Sequence, residues 1–186
     1  LPFYAKRWGI DFENYSFGED KNANNYKRLR EQGYKIISGK KTTQKFLRKI
    51  CKFYKDYSAV IGEIGNNTFD HNWEYTEGYC RGAYFNSETE DYIVLADYGR
   101  GLRKSLAAVK DCKSDLEALT TAFTEHLSGR APEQRGNGLK FVCETVKEKG
   151  WSLYFQSGEA YCIIKDGEER YGNTDFSIFG CLAVLK

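Results

Sequence analysis

Two strand-like runs, Gly82–Ser87 and Tyr92–Asp97, are separated only by a polar turn around Glu88-Thr89-Glu90. So short a connection leaves no room for a crossover, and the two runs are expected to pair as an antiparallel hairpin. Helical patterning stands on both sides of it. Thr42–Tyr57 carries Phe46, Leu47, Ile50, Phe53 and Tyr54 along one amphipathic stripe, and a second helix is expected over Ser58–Trp73. After the hairpin, Leu102–Lys110 and Asp115–Leu127 read as helices. The second opens on a capping box, Ser114 with Glu117, and Gly129 is placed to end it.

Leu139–Lys149 is a further helix, closed by Gly150, and strands are expected at Trp151–Gln156, Ala160–Lys165 and Phe179–Leu185. Upstream, a helix near Asn22–Gln32 precedes a short strand at Tyr34–Ser38. Helices followed by a mostly antiparallel sheet, itself interrupted by helices, predict an α+β two-layer sandwich. Two prolines and no Gly/Ser-rich linker in 186 residues argue for one compact unit from Thr42 onward. Residues 1–41 form an N-terminal extension of unassigned role.

Apolar residues at 41% and charged residues at 29% exclude a disordered chain, and no apolar run is long enough for a membrane span. A net charge of +2 is too small to indicate nucleic acid. The six cysteines are widely spaced, with no C-x-x-C pair and only two histidines to join them. Reduced thiols in a cytoplasmic protein are therefore expected, rather than zinc or a disulfide framework.

Three short motifs carry chemistry. On the helix over Ser58–Trp73, Glu63, Asn67, Asp70 and His71 fall on one stripe, at i, i+4, i+7 and i+8. A carboxylate there can align a water or hydroxyl for attack on a phosphoryl group, and a carboxamide oxygen suits Mg²⁺. A polar stripe on a surface helix is also ordinary. The second motif, Asp97-Tyr98-Gly99-Arg100-Gly101, ends a buried strand. Its aspartate can accept a hydrogen bond from an exocyclic amine, and its glycines let backbone approach a ligand; taken alone, it reads more simply as a strand-to-helix turn. The third, Arg135-Gly136-Asn137-Gly138-Leu139, opens a helix, where backbone N–H groups favour an anion. Arg130 and Arg135, in the polar stretch before it, can reach phosphate oxygens.

In this order the motifs resemble the N, G1 and G2 boxes of the GHKL (Bergerat-fold) ATP-binding domains of gyrase, histidine kinases and anti-sigma serine kinases. The helix stripe is most similar to the last group and to related sensor kinases. The resemblance covers residues 42–186. It implies a two-layer sandwich whose mixed, mostly antiparallel sheet is covered on one face by helices. It makes Glu63 the general base, Asn67 the Mg²⁺ ligand, and Asp97 the adenine reader. His71 orients Asn67 or touches phosphate, while Gly99, Gly101, Leu102, Arg135, Gly136, Asn137, Gly138 and Leu139 shape the ATP pocket and its lid. Near the end, Phe179-Gly180-Cys181 resembles the family's final Gly-Thr motif, with Cys181 in place of the threonine that helps hold adenine.

The implied function is a Mg-ATP-binding domain that hydrolyses ATP, or passes its γ-phosphate to a regulatory protein partner in intracellular signalling. The alternative is a non-catalytic, ATP-gated interaction switch. A homodimer is a further expectation, and a scaffold that has lost nucleotide affinity is a third reading.

Overall fold

A computed structural model of the chain describes residues 35–38, 48, 51–52, 54–71, 81–86, 92–97, 99–125 and 138–186. The helix expected at Asn22–Gln32, most of that at Thr42–Tyr57, and Gly129 lie outside these residues. Within the Thr42–Tyr57 stretch, Arg48, Cys51 and Lys52 are helical and the chain turns over residues 54–57.

Nine elements follow in order: β1 (Lys35–Ser38), α1 (Ser58–Asp70), β2 (Arg81–Asn86), β3 (Ile93–Asp97), α2 (Gly101–Leu106), α3 (Asp115–Thr124), α4 (Gly138–Glu148), β4 (Leu153–Lys165) and β5 (Glu168–Leu185). The strands form one sheet in the order β1-β2-β3-β5-β4. Among the described residues every strand pairing is antiparallel. The class is α+β.

Hydrophobic patterning accounts for the helix layer. Val60, Ile61 and Ile64 of α1 join Leu119 and Phe123 of α3 and Leu139, Val142 and Val146 of α4 in one core cluster. They meet the alternate strand residues Ile93, Leu95, Leu153, Phe155, Ala183 and Leu185, all on the same face of the sheet. Phe123 packs edge-on against Phe155, with ring centroids 5.2 Å apart. The opposite face is buried as well. Val94, Val184, Tyr154 and Gln156 are no more than 3% exposed. Gln156 is satisfied there, accepting from the Tyr154 hydroxyl at 2.7 Å and donating to Gly158 O at 3.0 Å.

The helix ends follow local chemistry. Ser114 caps α3 by accepting from Glu117 N–H at 3.1 Å, but the Glu117 carboxylate accepts from Lys113 N–H rather than closing the box on Ser114. α4 ends in a Schellman turn. Gly150 takes φ +68°, its N–H donates to Lys147 O, and Trp151 N–H donates to Val146 O.

The largest departure from expectation is the length of β4 and β5. The runs expected at Trp151–Gln156 and Ala160–Lys165 are one strand, and β5 extends back to Glu168. A two-residue turn at Asp166 (φ 54°) and Gly167 (φ 78°) joins the two strands. Positive φ at both positions is what the twist of a tight hairpin demands. Register shifts between Ser157 and Ala160 bend this long hairpin. α2 is shorter than expected, ending at Leu106, and Val109 and Lys110 N–H both return to Leu106 O in a turn.

Candidate functional site

The polar stripe of α1 follows from burial of its other side. With Val60, Ile61 and Ile64 in the core, Glu63 is exposed, Asn67 is partly buried, and exposed His71 ends the helix with its N–H donating to Asn67 O at 3.3 Å. α1 packs on α4. That contact brings Glu63 over the first residue of α4: a Cβ added to Gly138 would stand 2.7 Å from Glu63 Oε2. Absence of a side chain at Gly138 is therefore what lets the carboxylate approach the positive end of the helix. Leu139 is buried beside it and anchors the start of α4 in the core. Arg130, Arg135, Gly136 and Asn137 lie outside the described residues, as does the side chain of Asp70.

A second cluster forms where β3 leaves the sheet. Register places Asp97 opposite Cys181 of β5, and Cys181 opposite Ser157 of β4. Directly paired residues share a face, so Asp97, Cys181 and Ser157 form a row on the helix side, at the rim of the core. Asp97 is buried at 8% exposure, and Gly99 just beyond it is buried too. Gly180 takes φ +75°, and a Cβ there would collide with the Asp97 carbonyl and stand 2.6 Å from both Asp97 Oδ1 and Gly99 N.

Gly101 takes φ +73°, and an added Cβ would meet Ser157 Oγ at 3.1 Å. Ser157 Oγ accepts from Leu102 N–H at 2.9 Å and donates to Gly180 O at 3.3 Å. α2 has no side-chain cap of its own at Arg100, so this hydroxyl, 55 residues away, satisfies one of its opening N–H groups.

Burial pushes the Cys181 thiol well above its ordinary range, the neighbouring Asp97 carboxylate adds to this, and the Ser157 hydrogen bond opposes it. The thiol is therefore neutral at physiological pH and acts as a small, weakly polar wall.

The structure thus gathers Glu63, Gly138 and Leu139 at one place, and Asp97, Gly99, Gly101 and Leu102 at another. Sequence reasoning did not single out Ser157, and it treated Gly180 only as part of a terminal motif. Glycine inside a strand was the available signal for Gly180. Ser157 carries none, since a serine in a strand is common.

At Gly138 a Cβ would crowd the Glu63 carboxylate and at Gly101 the Ser157 hydroxyl, so each glycine makes room for a polar side chain brought in by another element. Among the described residues no group of three or more His, Cys, Asp or Glu could hold a metal ion. Mg²⁺ held by one amide oxygen and by phosphates needs no such group. Also among the described residues, no helix is long and apolar enough to cross a membrane. The chain matches no model of a known protein family, and no curated protein matches it.

Proposed function

We propose that the chain is a Mg-ATP-binding domain of the Bergerat type, which hydrolyses ATP or hands its γ-phosphate to a protein partner. The observation that carries this reading is the approach of Glu63 to Gly138. A carboxylate on one helix faces the N-terminal end of another, across a position where no side chain intervenes. That geometry offers a base and a phosphate cradle in the same place.

In this reading Asp97 accepts a hydrogen bond from the exocyclic amine of adenine, with Gly99 and Gly101 giving the base and ribose close access to backbone. Asn67 would supply one oxygen to a Mg²⁺ ion, whose charge would offset that of the phosphates. His71, one turn on, orients Asn67. Glu63 takes the proton from a water, or from a partner's hydroxyl, as that oxygen attacks the γ-phosphorus and the bond from the γ-phosphorus to the β,γ-bridging oxygen breaks, with ADP as the leaving group. The helix start at Gly138 and Leu139 stabilises the phosphate oxygens.

Calorimetry and phosphate release on three proteins test this. Wild type should bind ATP with Mg²⁺. Asp97→Asn should bind about tenfold or more weakly, because it loses a charge-assisted hydrogen bond. Glu63→Ala should keep its affinity and lose about a hundredfold or more in turnover, the usual contribution of a general base. A wild type that binds no nucleotide would sink the reading. A Glu63→Ala variant that binds normally, in a wild-type background with no turnover, would point to the ATP-gated switch.

A further inference from the structure

The row at the end of β3 contains one side chain whose job is not explained by strand pairing. Ser157 is 3% exposed, and its hydroxyl bridges two segments. It accepts from Leu102 N–H at 2.9 Å and donates to Gly180 O at 3.3 Å, and strand register sets it directly opposite Cys181. Each neighbour leads to the base-reading end of the pocket. Leu102 opens the helix that follows the Gly99–Gly101 loop. Gly180 lies so close to Asp97 and Gly99 that a Cβ on it would stand 2.6 Å from Asp97 Oδ1 and Gly99 N. Cys181 stands directly opposite Asp97 in the sheet.

We propose that Ser157 is a positioning residue for nucleotide-base recognition: it clamps the Gly99–Leu102 loop to the Gly180 bulge and so fixes where the Asp97 carboxylate points. This role rests on the ATP reading above. It adds a specificity determinant from β4, a strand that the three sequence motifs do not include.

The physics favours a clamp over simple filling. Gly101 and Gly180 both have positive φ, so neither segment holds its shape through ordinary backbone preference. α2 is too short to hold itself in place and has no local side-chain cap. The site also sits at the register shift after Ser157, where β4 and β5 stop sharing regular ladder bonds. One hydroxyl supplies the cross-link that the ladder no longer provides. Without it, the loop and the bulge can move apart, and the carboxylate loses its aim at the base.

Ser157→Ala and the isosteric Ser157→Cys should be compared with wild type for binding of ATP and of inosine triphosphate, which has an oxygen where adenine has its amine. Wild type should prefer ATP. Ser157→Ala should lose about tenfold in ATP affinity, the scale of one or two hydrogen bonds, while its affinity for inosine triphosphate stays within about twofold. Ser157→Cys should fall between, since a thiol is a weaker hydrogen-bonding group. In the nucleotide-free protein, amide exchange at Leu102 should speed up in the alanine variant. Equal loss for both nucleotides would mark a merely structural residue and overturn the proposal. So would an alanine variant that keeps wild-type ATP affinity. A wild type that binds neither nucleotide, alongside faster Leu102 exchange in the variant, overturns the nucleotide reading and the recognition role with it, and leaves only the clamp.

Discussion

Gly138 and Gly180 are both close to a carboxylate, yet they have opposite tolerances. Gly180 sits at φ +75° with backbone atoms of Asp97 and Gly99 where a Cβ would go. Neither the strain nor the clash can be relieved by a rotamer change, so Gly180→Ala should cost about 2 kcal/mol or more in urea unfolding. Gly138 is helical, and among the described residues its only close neighbour is the far end of the exposed Glu63 side chain. That side chain can swing away. Gly138→Ala should therefore melt at or slightly above the wild-type temperature, since alanine favours a helix. On the ATP reading, its phosphate release should fall, because the displaced carboxylate is the base. A stable variant with full turnover would separate Glu63 from the chemistry. The glycines of the motifs were legible in sequence, but which of them guards backbone and which guards a side chain is decided by neighbours more than fifty residues away along the chain, and sequence spacing does not record such neighbours.

Among the elements, the long β4–β5 hairpin was the least legible. Glu168–Ile178 carries charged and polar residues on most positions, so Lys165–Ser177 reads only as an extra turn or hairpin before the last strand; the ladder with β4 makes it continuous with that strand. The Asp166-Gly167 pair was the available signal. By contrast, α3 and α4 were legible because each has an apolar face of helical period and a cap or glycine at an end, α1 by its apolar face alone, and β3 by its unbroken apolar run. The hairpin is tied to α4 by polar contacts beneath the surface. Cys143 Sγ donates to Glu169 Oε2 at 2.8 Å, and Lys147 Nζ pairs with the same oxygen at 2.8 Å.

These contacts make stability depend on pH. Burial, reinforced by the Glu169 carboxylate, pushes the Cys143 thiol up to about 12, and burial does the same for Cys162. Both folded values lie above the ordinary 9.0, so the contribution is fully present below pH 9 and is lost as pH rises from there through about 12. The unfolded chain releases those protons first, and Cys143→Ala should show a smaller loss of stability between pH 8 and pH 10.5 than wild type, measured by urea unfolding at each pH. An unchanged slope would place the alkaline sensitivity elsewhere. Glu169 has the opposite sign. Burial would raise its carboxyl, but hydrogen bonds from Cys143 and Lys147 outweigh this and hold it below 4.5, so its contribution is present above that pH and fades on acidification.

At the scale of the whole molecule, the site divides between the two layers. The row of Asp97, Cys181 and Ser157 belongs to the sheet and is fixed by strand register, whereas Glu63, Asn67 and the start of α4 belong to the helix layer and are fixed by packing of α1 on α4. A nucleotide spanning both would add a link between layers that meet through the apolar core and a few polar contacts such as Ser157–Leu102 and Lys147–Glu169. Such a ligand stabilises the folded state in proportion to its occupancy, by about 2.7 kcal/mol at a hundred times its Kd. The metal's part in this is separable. Among the described residues nothing resembles a structural metal cluster, so the fold should not depend on one. EDTA should leave the melting temperature of the nucleotide-free protein unchanged, while shrinking the rise produced by ATP. Asn67→Ala should show that smaller rise even with Mg²⁺ in excess, because the phosphates alone then hold the ion. A nucleotide-free protein that unfolds at lower temperature in EDTA would instead make the metal part of the fold, and Asn67 would lose its assigned role.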